Sequence, residues 1–198
     1  LSVREDNSVT LKDAVTFSSG SLAASFYPVL LPSDNVQITS GTVLSGTLLS
    51  GGAVINSLTV ATGGGQTLSL GGATLTLASG GLLLSQTATG TLSINNGFIT
   101  SGTSSLFVTL APYASNRPVD LSAPIIDNGG APVRVIFSSS EPAGTSSSLT
   151  LSTNMGYTGG TVLNQGSVVL GAGYALPAGG LTLNAASFLL AAGSSVLN

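Results

Sequence analysis

The side chains that could act as acids, bases or ligands are few, and four of them are evenly spaced. Asp120, Asp127, Arg134 and Glu141 follow one another at seven-residue intervals, with Arg117 just upstream. Carboxylate pairs, or calcium-bridged aspartates beside an arginine base, are what polysaccharide-cleaving β-helices use, and no other stretch of the chain offers such a set. Histidine and cysteine are both absent, which removes Ser/His/Asp catalysis, imidazole metal sites and thiolate chemistry whatever the abundance of serine. The spacing of seven is out of step with the strand repeat that precedes these residues. The plainer reading is solvated loop charges and no enzyme. Binding asks less of the geometry than catalysis does. Tyr113, Arg117, Asp120, Asp127 and Arg134 are therefore the candidate ligand-binding residues, in a glycan- or receptor-binding site within residues 111–146 where Tyr113, or Tyr157 further on, is the stacking ring. Either tyrosine has an ordinary alternative as a partly buried packing residue.

The elements that must position these residues are legible from Ser40 onward. Thr42-Val43-Leu44-Ser45-Gly46 recurs at a constant interval as Thr59-Val60-Ala61-Thr62-Gly63, as Thr76-Leu77-Ala78-Ser79-Gly80 and as Ser93-Ile94-Asn95-Asn96-Gly97. In the last three copies a leucine precedes the motif, giving the pairs Leu58/Val60, Leu75/Leu77 and Leu92/Ile94. Side chains alternate faces along a strand, which sends these pairs inward and Thr59, Thr76 and Ser93 outward. The glycines then mark corners where φ is positive. A strand repeated in register, with no helical period between copies, predicts an all-β fold: a right-handed parallel β-helix, a single-stranded solenoid of about ten coils and roughly 50 Å at ~4.8 Å per coil. In that register Val43, Val60, Leu77 and Ile94 form one interior column. Each buried Leu, Val or Ile contributes ~1.5–3 kcal/mol, so a few per coil offset the ordering of a Gly-rich backbone.

The chain divides by composition. Residues 1–39 hold more than half of all the charges and read as atypical N-terminal rungs or a cap; residues 40–110 are the regular coils. Residues 111–146 contain Pro112, Pro118, Pro124, Pro132 and Pro142 and read as loop-bearing coils. Loops or edge-like strands are expected there between shorter runs such as Val133–Phe137, because proline cannot donate to a ladder. Coil grammar resumes over 147–198. Gly63-Gly64-Gly65 and Gly71-Gly72 lack the Lys-Ser/Thr of a phosphate loop and the Asp of a calcium-binding roll, which leaves them as corners. If each copy of the motif begins a new coil, Ser57/Thr59, Thr74/Thr76 and Thr91/Ser93 make a hydroxyl file like that of ice-binding β-helices. The ordinary alternative is that threonine suits exposed strand positions.

Charged residues are only 6% of the chain and the net charge is −3. Four basic residues in all cannot form the cationic stripe that nucleic acid or an anionic membrane surface requires. Mean hydropathy is positive, at +0.53, yet no run approaches the ~20 apolar residues of a spanning helix. Aromatic residues, at 5%, are too sparse for the girdles of a transmembrane barrel. No cofactor is expected.

The segment Tyr157-Thr158-Gly159-Gly160-Thr161, Gly166-Ser167-Val168-Val169-Leu170-Gly171, Ala175-Leu176-Pro177-Ala178-Gly179-Gly180-Leu181-Thr182-Leu183-Asn184 resembles the autotransporter-associated β-strand repeat of secreted passenger domains. Downstream, Ala185-Ala186-Ser187-Phe188-Leu189-Leu190 stands where Gly-Gly-Thr-Leu-Asp-Leu is typical. The resemblance implies secretion and display outside the cell or on the outer-membrane surface of a Gram-negative bacterium. The chain, beginning at Leu1 without a signal peptide, is then expected to be a processed product or a fragment. The implied role is an extracellular, structural or adhesive stalk, coat or fibre. Its expected partners are further copies, as a homo-oligomer or end-to-end polymer, or a surface glycan or receptor.

Overall fold

In a computed structural model the chain is all-β, its parallel strands stacked as a β-helix. The structure describes residues 2–3, 8–11, 30–38, 52–61, 67–85, 90–111, 118–140 and 148–197, with side chains described from residue 30 onward.

Three files of strands run along the stack. The first, file A, contains β2 (Ser8–Leu11), β3 (Asn35–Ile38), the second half of β4 (Ala53–Val60), the second half of β6 (Thr74–Leu84), β9 (Ser105–Leu110), β11 (Arg134–Ser139), and the first parts of β13 (Thr161–Leu170) and β15 (Leu181–Leu190). File B contains β5 (Thr67–Ser69), β7 (Leu92–Asn95), β10 (Val119–Leu121), β12 (Leu149–Leu151) and the remainders of β13 and β15. File C takes the first halves of β4 and β6, β8 (Phe98–Ser101), the bridges at Ile125, Ile126 and Gly156, β14 (Ala175–Leu176) and β16 (Ser195–Val196). Every pairing in these files is parallel. Among the described residues, antiparallel pairing occurs at the start of the chain, where β1 (Ser2–Val3) runs against β2, and at the isolated Asn128–Ala131 bridge. Among the described residues file A, the longest, holds fewer strands than the expected stack of about ten coils.

The interior follows from alternation. In file A, Val36, Leu58, Leu82, Val108, Phe137 and Leu163 stack in register and are buried. In file B, Leu68, Ile94, Leu121, Leu151 and Leu170 do the same. The pairs Leu58/Val60, Leu75/Leu77 and Leu92/Ile94 are all inward, as their spacing predicts.

The column drawn from the repeated motif is not found. Val60 lies in file A over Ile38, Leu77 in file C over Ile55, and Ile94 in file B over Leu68; Val43 falls outside the described residues. A full coil is longer than the step from Val60 to Leu77. Val60 meets its partner only at Leu84, and Ile94 meets its own only at Leu121. One step of the motif thus advances the chain by two sides of a three-sided coil. The motif returns because every side is the same unit, an alternating strand closed by a corner.

Most of the run Val133–Phe137 lies in β11, which is flanked by β9 and β13 inside the sheet. The prolines are spared from the ladder because Pro118, Pro124 and Pro132 sit in links between strands, where their carbonyls still accept. Pro118 O takes the Leu92 N–H, and Pro124 O the Ile99 N–H. Among the corners, Gly80 shows why glycine is needed. Its φ is +75°, and a Cβ there would strike the Ser105 carbonyl of the next coil.

Candidate functional site

The structure describes three of the residues that the sequence grouped, and places them apart. Tyr113, Arg117 and Glu141 lie outside the described residues. Asp120, Asp127 and Arg134 belong to one coil but to three different stretches of it.

Asp120 points outward from file B, above Ser93 and below Thr150. Its Oδ2 accepts a hydrogen bond from Ser122 Oγ at 2.8 Å and a long one from Ser93 Oγ at 3.5 Å. Its Oδ1 is buried with no hydrogen-bond partner among the described residues. Asp127 sits between files C and A, at the mouth of the turn closed by Asn128 and Ala131. Its Oδ1 accepts the Val133 and Thr158 amides at 2.8 and 2.9 Å, and its Oδ2 accepts the Thr158 hydroxyl at 2.7 Å. Desolvation pulls its pKa upward, but these donated bonds outweigh it and hold the carboxyl below its usual value near 3.8. The carboxylate is thus engaged in bracing its own turn against the next coil. Arg134 is exposed at the start of β11, outward on file A beside Ser105. Among the described members of the set suited to polysaccharide cleavage, Asp120 and Arg134 are on different sides of the coil.

Tyr157 is wholly buried, so it packs rather than stacking on a sugar. Its hydroxyl shares a 2.6 Å hydrogen bond with Thr161 Oγ1. Burial pushes the phenol up to about 12, the Thr161 contact opposing this in part. The hydroxyl file also dissolves. Ser57/Thr59 belong to file A, Thr74/Thr76 to file C and Thr91/Ser93 to the file B side, so they face three directions instead of lying in one plane.

Three features escaped the sequence. The first is an edge where file A hands over to file B. Ala61, Ser85, Ala111 and Ser140 stack there, each donating its amide to the coil below, to Ile38, Val60, Leu84 and Leu110 respectively. The chain returns at Thr67, Leu92, Val119 and Leu149, which are aligned in file B or lead directly into it. The segments carrying Tyr113, Arg117 and Glu141 therefore leave and re-enter on neighbouring coils at one edge. Stacking of the exit points depends on strand register, which no local pattern encodes.

The second is Phe107, 48% exposed on the outward side of β9, above Gly81 and below Ile136. Leu106-Phe107-Val108 reads as a continuous apolar run, from which alternation alone cannot pick the outward residue. The third is the C-terminal coil. Leu183 and Leu190 occupy the same inward columns as Leu163 and Leu170, yet are 47% and 54% exposed where their predecessors are 0%. Among the described residues no group of three His, Cys, Asp or Glu comes together.

These features define the class of molecule, a parallel β-helix with an edge where file A hands over to file B on successive coils. No protein-family model, curated protein or solved structure matches the chain.

Proposed function

We propose that the chain is an extracellular structural β-helix, part of a stalk, coat or fibre on a Gram-negative cell surface, of the autotransporter passenger type. One observation carries this reading: an unbroken file of parallel strands, from β2 to β15, encloses a continuous apolar interior and makes the molecule a rod. The glycines of the autotransporter-like segment have a physical role in that rod. A Cβ on Gly159 would lie 2.5 Å from the Arg134 amide, and one on Gly179 would lie 2.5 Å from the Thr158 carbonyl, so successive coils approach too closely for any side chain. Above this, Asn184 donates to Asn164 at 2.8 Å, and Asn164 donates in turn to the Ser138 hydroxyl at 3.4 Å, on the outward side. The test is access. Antibodies raised against residues 148–197 should label intact cells, and labelling that requires permeabilisation overturns the proposal.

The edge where file A hands over to file B favours a second reading, a glycan- or receptor-binding role for residues 111–146. Deleting that whole segment would be uninformative, because Val119, Leu121, Val135 and Phe137 belong to the core. Replacing residues 112–117 alone with a Gly-Ser link of equal length should keep the β-rich circular dichroism and abolish adhesion to glycan-coated surfaces. Undiminished adhesion would remove this reading.

A further inference from the structure

We infer that Asn128 is a self-modification site, whose side-chain amide is lost through ring closure by the Gly129 main-chain nitrogen, while the fold protects the same dipeptide at Asn96-Gly97. This chemistry is independent of where the molecule acts.

Asn-Gly is the dipeptide that obstructs such closure least, because glycine has no side chain to keep its nitrogen from the preceding amide carbon. It occurs twice in the chain, at Asn96-Gly97 and Asn128-Gly129. Both asparagines are exposed, so access to water does not separate them. Their surroundings do.

Asn128 opens the turn made by Gly129 and Gly130. Its main-chain N–H and carbonyl bond to Ala131 at 3.1 and 2.9 Å, in a bridge that belongs to no strand. Gly129 and Gly130 have φ of +58° and +88°, and a Cβ on either would meet nothing within 4 Å. Among the described residues no hydrogen bond holds the Asn128 side chain or the Gly129 N–H. The neighbouring Asp127 carboxylate is turned away, accepting from Val133 and Thr158. Attacking nitrogen and target carbon are both free, with open space around them.

Asn96 is the opposite case. Its Nδ2 donates to Ser69 Oγ at 3.0 Å and its carbonyl accepts the Gly72 N–H at 2.6 Å, both from the preceding coil. A Cβ on Gly97 would lie 2.5 Å from the Ala73 carbonyl and from Leu70 Cβ. Bringing the Gly97 nitrogen onto the Asn96 side chain turns the backbone against that wall and breaks both bonds.

At Asn128 the Gly129 nitrogen attacks Cγ. The new N–C bond replaces the Cγ–Nδ2 bond, and the Gly129 proton leaves with Nδ2 as ammonia. Water then opens the resulting succinimide at one of its two carbonyls. One opening gives aspartate, the other isoaspartate, in which the main chain runs through the side-chain carbon. Water is the sole co-reactant. Either product adds a carboxylate beside Asp127, and isoaspartate also lengthens the turn that Asp127 braces.

The test ages the folded chain and a urea-unfolded sample side by side in warm, mildly alkaline buffer. Peptide mapping by mass spectrometry, with fragmentation that separates aspartate from isoaspartate, follows each site. In the folded chain Asn128 should convert about tenfold faster than Asn96 or more, since reaction at Asn96 first breaks its bonds to Ser69 and Gly72. In urea the two rates should converge. Ser69→Ala should raise the Asn96 rate several-fold and leave Asn128 unmoved, with unchanged circular dichroism showing that the coils persist. Equal rates in the folded wild-type chain overturn the inference, whatever the variant does. So does an Asn128 that survives folded while its unfolded counterpart converts, or an Asn96 rate indifferent to loss of the Ser69 hydroxyl.

Discussion

The coils around β10 and β11 and the coils around β13 and β15 solve the same stacking problem with different amounts of chain. Between stacked neighbours, 27 residues separate Ser93 from Asp120 and 30 separate Ile125 from Met155, whereas only 20 separate Asn164 from Asn184. In these coils the strands keep register within each file, so the surplus is taken up outside the ladder, much of it at the handover from file A to file B. In β13 that handover has shrunk to a bend within one strand. Gly166, with φ of +97°, makes the bend, and a Cβ there would strike Ser139 of the coil below. Corners absorb variation because they carry few ladder bonds, while a strand that slips by one residue turns its whole apolar side outward.

The comparison is broken most severely by emptying a shared column at two heights. Phe137→Ala should cost about 3–5 kcal/mol and Leu163→Ala about 2–5 kcal/mol, as buried large-to-small changes do. Leu183→Ala, one coil further along the same column but half exposed, should cost ~1 kcal/mol or less in this chain. Equal urea midpoints for Leu163→Ala and Leu183→Ala would mean that the last coil is not open.

Next in size is the alkaline limb. The phenol of Tyr157 titrates near 10 in the unfolded chain and near 12 in the fold. Its contribution is therefore complete below pH 10 and is lost as pH rises toward 12, roughly 3 kcal/mol in all. Tyr157→Phe should flatten that slope, at a cost of ~1–3 kcal/mol from the unpaired Thr161 hydroxyl. A slope that persists in the variant assigns it to another group.

Glycine substitutions sharpen the contrast between crowded and open corners. Gly159→Ala should destabilise by about 1–3 kcal/mol, because its Cβ meets the backbone of Val133 and Arg134. Gly173→Ala meets nothing within 4 Å, so only its φ of +79° opposes it, at about 1–2 kcal/mol. Thermal melts that rank them in the opposite order would mean that the coils are spaced more widely here.

Smallest is the acid limb. Asp127 has a depressed pKa, so its stabilisation is complete above the usual carboxylate value near 3.8 and fades as pH falls through the lower folded value. Asp127→Asn should remove that part of the acid dependence and cost ~1–2 kcal/mol at neutral pH. An unchanged acid midpoint would return Asp127 to the status of a solvated loop charge.

Much of this was written in local sequence. That Leu58, Val60, Leu75, Leu77, Leu92 and Ile94 face inward follows from the two-residue period of a strand, a property of chirality and bond geometry that needs no partner. That Gly80 sits at a corner follows from the steric restriction on φ. The all-β class follows from the sum of such units. What lies above what was decided only in three dimensions. Val60, Leu77 and Ile94 recur at one constant interval but sit on three sides, because stacking is governed by total coil length, and coil length is set at corners where sequence constraint is weakest. The same holds for Asp127, whose partner Thr158 is 31 residues away, and for the burial of Tyr157. An inward or outward bias is a local matter of alternation. The identity of a neighbour requires the closure of a whole turn of chain.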